Sequence, residues 1–149
     1  MSEEMDSGAK TIMLIDDEEI DNLINGKIVE KSGLGKPRYV FKESTAAIEF
    51  LRIMSKQETE ADQPFPDLIF LDINMPLLDG FQFLNLFDSL PEEQRKETFI
   101  IMLSSSINPE DKARALSNKH VLAFLTKPLS HSVLNEVKTM LQTREGRKI

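Results

Sequence analysis

The sequence predicts a doubly wound α/β fold, in which a five-stranded parallel sheet is flanked by five helices. Along the chain, short apolar runs alternate with segments whose apolar residues recur at helical spacing. Each of the five apolar runs is followed by one helical segment, which is typical of parallel strands joined by crossover helices. The length of 149 residues suits one domain.

The predicted strands are short runs rich in β-branched and other apolar residues. They are apolar on both faces, as expected of strands covered by helices above and below. The runs occupy residues 11–15, 39–41, 67–71, 99–103 and 121–125.

The predicted helices follow the strands in order. In the first, Ile20, Leu23, Ile24 and Ile28 recur at helical spacing until a Gly-Leu-Gly sequence ends the pattern. The fourth helix begins at Asn108, because a capping residue followed by proline favours a helix start. The second, with Ser44 as its cap, the third and the fifth are predicted at residues 44–54, 81–87 and 130–144, and the polar segments at 55–66 and 91–97 are predicted loops.

Composition excludes several classes of function. The formal charge of −7 argues against a nucleic-acid partner, and the absence of cysteine excludes disulfides, thiolate metal sites and cysteine nucleophiles. The N-terminal residues are acidic and polar, unlike a signal peptide. No apolar run approaches the roughly 20 residues that span a bilayer. We therefore expect a cytoplasmic protein without membrane contact.

Side chains that could share one ligand follow four of the five predicted strands, and the second strand is followed only by a Lys-Glu pair. Asp16 and Asp17 follow the first strand, Asp72 the third, Ser104 the fourth and Lys127 the fifth. Ligands of open α/β sheets bind at this edge, outside the carboxyl ends of the strands. Carboxylates held about 4 Å apart repel by roughly 4 kcal/mol per pair at an effective dielectric of 20, so a cation is expected among them.

The ligand types indicate the cation and its partner. Three carboxylates without thiols or a nearby imidazole favour Mg²⁺, which is often shared with a phosphate. Lys127 and Ser104 would then contact the other side of that phosphate. Asp72 is the central carboxylate, and a carboxylate can act as a nucleophile that forms an acyl phosphate.

Four motifs together resemble the receiver domain of two-component response regulators: DD at 16–17, DINMPLLDG at 72–80, LSS at 103–105 and FLTKP at 124–128. The resemblance implies a flavodoxin-like sheet in the order 2-1-3-4-5 and a receiver domain over residues 10–142. Residues 1–9 would be a flexible segment and residues 143–149 a tail. A single-domain regulator, like the chemotaxis receiver, is implied.

The resemblance also assigns roles to individual residues. Asp72 would accept a phosphoryl group from a sensor histidine kinase or a histidine phosphotransfer protein. Ser104 would bond a phosphoryl oxygen, and Lys127 would pair with Asp72 or its phosphate beside a cis bond to Pro128. Mg²⁺ would be held by Asp16, Asp17, Asp72 and the main-chain carbonyl of Asn74.

Further implied roles concern signalling. Phe124 would turn inward as Ser104 moves, and Asn74, Ser105 and Ser106 would tune the loss of phosphate. The protein would not be a classical enzyme, since its only reactions would be self-catalysed phosphorylation and autodephosphorylation. Its downstream target would be another protein, and a homodimer would form through the fourth predicted helix, the fifth strand and the fifth predicted helix.

Two alternatives of other classes stay open. A haloacid-dehalogenase-type phosphatase also uses an aspartate nucleophile and Mg²⁺, but its nucleophile normally follows the first strand in a DxD motif. Here the candidate follows the third strand, and Asn74 stands two residues later. The other alternative is a binding module with a receiver fold that is not phosphorylated. Intact Asp17, Asp72 and Lys127 argue against it.

Overall fold

The computed structural model describes residues 10–56 and 64–143, and its five strands form one parallel sheet. The order β2-β1-β3-β4-β5 confirms the expected topology. The strands are β1 (Lys10–Ile15), β2 (Gly35–Phe41), β3 (Leu68–Asp72), β4 (Phe99–Ser104) and β5 (Val121–Thr126).

Six helices lie in these residues, one more than the sequence predicts. The extra helix is a single turn in the segment predicted as a loop at 91–97. Pro91 is its N-cap residue, and the Pro91 carbonyl accepts hydrogen bonds from the N–H groups of Gln94 and Arg95. The helices are α1 (Glu19–Ser32), α2 (Ser44–Lys56), α3 (Gly80–Asp88), α4 (Glu92–Arg95), α5 (Pro109–Leu116) and α6 (His131–Thr143).

The sheet separates two apolar cores. On one face, β-strand residues such as Met13 and Ile69 pack with α2, α3 and α5. On the other, residues such as Leu14 and Phe70 pack with α1 and α6. Both layers are needed because the central strands are buried on both faces. No helix of the described chain is long and apolar enough to cross a membrane.

Helix α1 buries a different face from the one predicted. Ile20, Leu23 and Ile24 are 67%, 59% and 48% exposed, whereas Asn22 and Asn25 are buried. The reason is a tertiary contact, which a hydrophobic pattern does not contain. The Asn22 side-chain amide donates to the carbonyls of two residues at the ends of β1 and β2, at 2.9 and 3.2 Å, and these bonds set the rotation of the helix.

Strand β2 begins four residues earlier than predicted. It is an edge strand whose side chains alternate between partly buried and exposed. Because its first residues are largely polar, the pattern of apolar runs does not predict them. Gly35 allows its first pairing with β1, because a Cβ there would lie 2.4 Å from the Lys10 carbonyl oxygen.

Two predicted helix starts have different outcomes. Asn108 caps α5 as predicted, since its side chain accepts hydrogen bonds from the N–H groups of Glu110 and Asp111. Ser44 lies in the first turn of α2, but its hydroxyl donates to the carbonyl of Leu78 instead of capping that helix. This bond ties α2 to the loop after β3, which carries part of the site.

Candidate functional site

The carboxyl ends of the strands bring the predicted carboxylates together. Asp16 follows β1 and Asp72 ends β3, and both are almost fully buried, at 1% and 3% exposed. Asp17 is more exposed. One oxygen of each of these three aspartates lies within 4.8 Å of the other two. Such an all-oxygen set, with water able to reach it through Asp17, suits a hard divalent cation.

The surroundings of Asp72 disfavour the ionised form of its carboxyl group. Burial raises the pKa of its carboxyl to about 6, the Asn74 N–H bond to Oδ1 opposes that rise, and the neighbouring carboxylate of Asp16 adds to it. A cation that approaches this carboxylate stabilises its ionised form. The site therefore attracts a metal ion or another positive group.

The loop from Ile73 to Gly80 fixes the surroundings of Asp72. The Ile73 N–H donates to the Leu103 carbonyl, and the Gly80 N–H donates back to the Ile73 carbonyl. A Cβ on Gly80 would lie 2.8 Å from Ile73 Cα, so this turn requires glycine. Asn74 is exposed at the rim of the site, and its main-chain N–H donates the hydrogen bond to Asp72 Oδ1.

Lys127 reaches into the site from the end of β5. Its main-chain N–H donates to the Ser104 carbonyl, and its peptide bond to Pro128 is cis, as the resemblance implies. Its Nζ lies 3.1 Å from Asp16 Oδ2 and 3.8 Å from Asp72 Oδ2. Burial lowers the pKa of Lys127, but hydrogen bonds to carboxylates outweigh this and raise it, so the group is cationic.

One site residue is missing from the sequence analysis. Asp21, in the first turn of α1, accepts a hydrogen bond from Lys127 Nζ at 2.9 Å. Its spacing was the available signal: Asp21 lies four residues after Asp17, about one helical turn further along. The spacing alone does not show that Lys127 from β5 reaches this turn.

Ser104 ends β4 with a hydroxyl that already has partners. It donates to the Ser106 carbonyl oxygen at 2.5 Å and accepts from the Ser106 N–H at 3.2 Å. Ser104 is buried, while Ser105 and Ser106 are exposed beside it. The hydroxyl therefore holds the loop between β4 and α5 in a closed turn.

Phe124 lies on β5 and is already inside the protein. Its side chain is 1% exposed and belongs to the core shared with α2, α3 and α5. The resemblance implies that this ring turns inward, but in this structure it is already inside the protein. A switch role for Phe124 therefore stays a prediction. The ring also borders a cavity of about 260 Å³ between α5, β5 and α6.

Comparison with known protein families identifies the family of this chain. The family model described as response regulator receiver domain matches residues 12–138. The chain belongs to this family. This receiver is 30% identical to the response regulator Rcp1 of a Synechocystis strain over 118 residues, which are 79% of this chain and 76% of Rcp1.

Two further relatives show the range of proteins that contain such a domain. A two-component response regulator of Cytophaga hutchinsonii has a crystal structure with 27% identity and a TM-score of 0.77, over 89% of this receiver and 96% of that chain. The hybrid signal transduction histidine kinase D of Dictyostelium discoideum is 29% identical over 140 residues, which are 91% of this receiver and 8% of the kinase. A domain of this kind thus makes up nearly all of one crystallised chain and a small part of a histidine kinase.

Proposed function

We propose that this receiver is a phosphoacceptor: Asp72 takes a phosphoryl group from a phosphohistidine, and the phosphorylated form signals through a changed conformation. The observation that carries the proposal is the meeting of Asp72 with two further aspartates and Lys127 at one sheet edge. The donor would be a sensor histidine kinase or a histidine phosphotransfer protein. Relatives that are hybrid histidine kinases support this donor class.

The chain's own residues account for the transfer step. A carboxylate oxygen of Asp72 attacks the phosphorus, the P–N bond of phosphohistidine breaks, and its electron pair stays on the imidazole, which takes a proton from solvent. The Asn74 N–H orients Asp72 through Oδ1. Lys127 faces Oδ2, where it can pair with a phosphoryl oxygen. Ser104 would donate to another phosphoryl oxygen.

A magnesium ion fits this site because its side-chain donors are carboxylates and one edge is open to water. The residues that would hold it are Asp16, Asp17, Asp72 and the carbonyl of Asn74. When bound, Mg²⁺ would supply positive charge that offsets the negative charges of the aspartates and of the transferred group.

The product would be a signalling state rather than a released compound. Asn74, Ser105 and Ser106 are exposed around Asp72 and Ser104, where attacking water would arrive, so we propose that they tune autodephosphorylation. We also propose that an unidentified protein target, or a second copy of this chain, binds the surface of α5, β5 and α6. Cytoplasmic localisation and a single-domain regulator stay predictions of the sequence.

The experiment that tests this function uses the wild-type protein and a small phosphodonor such as phosphoramidate. With Mg²⁺ we expect one phosphoryl group per chain, on Asp72, in a bond that hydroxylamine breaks; a chelator should prevent its formation. Mass spectrometry measures the adduct. No adduct would favour the binding module, whereas continuous hydrolysis of simple phosphomonoesters would favour the phosphatase.

Removal of one metal ligand gives a second expected result. Asp17→Ala should weaken Mg²⁺ binding at least about tenfold, which corresponds to about 1.4 kcal/mol, because the ion loses one of its carboxylate ligands. Calorimetric titration of the unphosphorylated protein measures it. The control is Glu19→Gln, which removes an exposed carboxylate on α1 and should bind Mg²⁺ as the wild type does. Equal affinities for Asp17→Ala and wild type would remove Asp17 from the metal site.

A further inference from the structure

The ammonium group of Lys127 has a close partner outside the motifs of the family, the carboxylate of Asp21. Lys127 Nζ donates to Asp21 Oδ2 at 2.9 Å and to Asp16 Oδ2 at 3.1 Å. The distance from Nζ to Asp72 Oδ2 is 3.8 Å, which is within range of an ion pair but too long for a hydrogen bond. Asp16 and Asp21 therefore hold Lys127 more closely than Asp72 does.

The position of Asp21 is fixed by its neighbour. The side chain of Asn22 is buried and donates to the carbonyls of Asp16 and Phe41, which joins the first turn of α1 to the ends of β1 and β2. This rotation of α1 exposes the apolar residue Ile20, but it places Asp21 beside the phosphoryl site. The contact with Lys127 is thus a consequence of how α1 packs.

The two carboxylates that bind the Lys127 ammonium group differ in how easily that group can leave them. The Asp21 side chain is 35% exposed, whereas that of Asp16 is 2% exposed. Water screens an exposed ion pair, so breaking it changes the free energy less than breaking a buried one. The 3.8 Å between Lys127 Nζ and Asp72 Oδ2 is about an ångström longer than a hydrogen bond. If Lys127 turns toward a phosphoryl group on Asp72, Asp21 is the partner that it can leave.

We propose that Asp21 is a positioning residue that holds the Lys127 ammonium group away from Asp72 and so weakens the site's affinity for a phosphoryl group. The inference rests on the proposed phosphoacceptor function and deepens it. Through Asp21, the first turn of α1 sets how firmly the site binds a phosphoryl group. A protein that binds to this turn and competes for Asp21 would release Lys127 toward Asp72.

The test measures the affinity for beryllofluoride, a phosphoryl mimic, at saturating Mg²⁺ by fluorine NMR. Asp21→Asn keeps the size of the side chain but removes its charge, and should bind the mimic about two- to fivefold more tightly than wild type. Asp21→Glu should restore the wild-type affinity. Glu19→Gln removes an equal charge from the same helical turn without touching Lys127, and should change the affinity little. The gain in Asp21→Asn should shrink as salt is added.

A second measurement reports on Lys127 itself, before any mimic is added. In heteronuclear NMR spectra, the ammonium signal of Lys127 should move in Asp21→Asn, return in Asp21→Glu and stay in Glu19→Gln. Weaker binding of the mimic by Asp21→Asn, or affinities and ammonium signals equal to those of Glu19→Gln, would overturn the proposal. If wild-type protein failed to bind the mimic at all, the phosphoacceptor function itself would be wrong, and this inference with it.

Discussion

Asp72→Asn should make the protein more stable at neutral pH while it abolishes phosphorylation. The carboxylate of Asp72 is buried beside Asp16, and its nearest cation, Lys127, is 3.8 Å away and bonded to two other aspartates. Asparagine keeps the shape and can accept the Asn74 N–H bond, but carries no charge. It also cannot form an acyl phosphate under these conditions, so the adduct should disappear.

The raised pKa of Asp72 sets the size of this effect and its dependence on pH. A shift from 3.8 to about 6 corresponds to about 3 kcal/mol, and partial access of water reduces the expected gain to about 1–3 kcal/mol. The fold favours the neutral carboxyl, so this contribution to stability is complete below pH 3.8 and is lost as the pH rises through about 6. The advantage of Asp72→Asn should therefore be small at low pH and full above pH 6.

Urea denaturation in the presence of a chelator, at several pH values, measures the free energy of unfolding of both proteins. Glu136→Gln, which replaces an exposed carboxylate on α6, is the control and should change stability little at any pH. Added Mg²⁺ should narrow the difference between wild type and Asp72→Asn, because the ion stabilises only the ionised site. If Asp72→Asn were less stable than wild type at neutral pH, Asp72 would not be an uncompensated buried charge.

The parts of the fold that the sequence predicts are those encoded by local apolar runs. Strands β1, β3, β4 and β5 are buried on both faces over most of their length, so each contains an unbroken apolar run. Once these strands are placed in parallel, their carboxyl ends must meet. Asp16, Asp72 and Lys127 therefore come together without any information on side-chain contacts.

The parts that escape prediction depend on contacts between distant residues. The rotation of α1 follows from hydrogen bonds of Asn22 to two strand ends, and a hydrophobic pattern would have buried Ile20 and Leu23 instead. Edge strand β2 begins with a polar sequence, and its first pairing position needs Gly35 because a larger residue would clash with Lys10. Asp21 enters the site for the same kind of reason, since its place depends on how α1 packs and its partner, Lys127, follows the distant strand β5.

Ser104→Ala should keep phosphorylation on Asp72 but lose most of the conformational response to it. The Ser104 hydroxyl carries one proton, and here it donates that proton to the Ser106 carbonyl. It cannot donate to a phosphoryl oxygen at the same time. Phosphorylation would therefore draw the hydroxyl away and release the Ser106 carbonyl, which opens the turn that precedes the Asn108 cap of α5.

The energies involved are sufficient for a switch. Moving an inactive majority of 99:1 to its reverse requires about 5.5 kcal/mol of differential binding. Hydrogen bonds to charged groups contribute roughly 1.5–3 kcal/mol each, and the new bonds of a phosphoryl group to Ser104 and Lys127 are of this kind. Without the hydroxyl, one of these bonds is lost, and the one that remains contributes at most about 3 kcal/mol. That energy brings the two conformations to no more than about equal populations, so the response should be much smaller than in wild type.

Amide NMR of residues 104–130, with and without beryllofluoride, measures this response. In wild type we expect shift changes in the turn after β4, in α5 and along β5 as far as Phe124. In Ser104→Ala the changes should stay close to Asp72, while mass spectrometry still finds the phosphoryl adduct. Ser89→Ala removes an exposed hydroxyl at the end of α3, away from the site, and should respond as wild type does. Equal shift changes in Ser104→Ala and wild type would mean that the conformational signal leaves Asp72 by a route other than the Ser104 hydroxyl, with Lys127 and β5 as the remaining connection to α6.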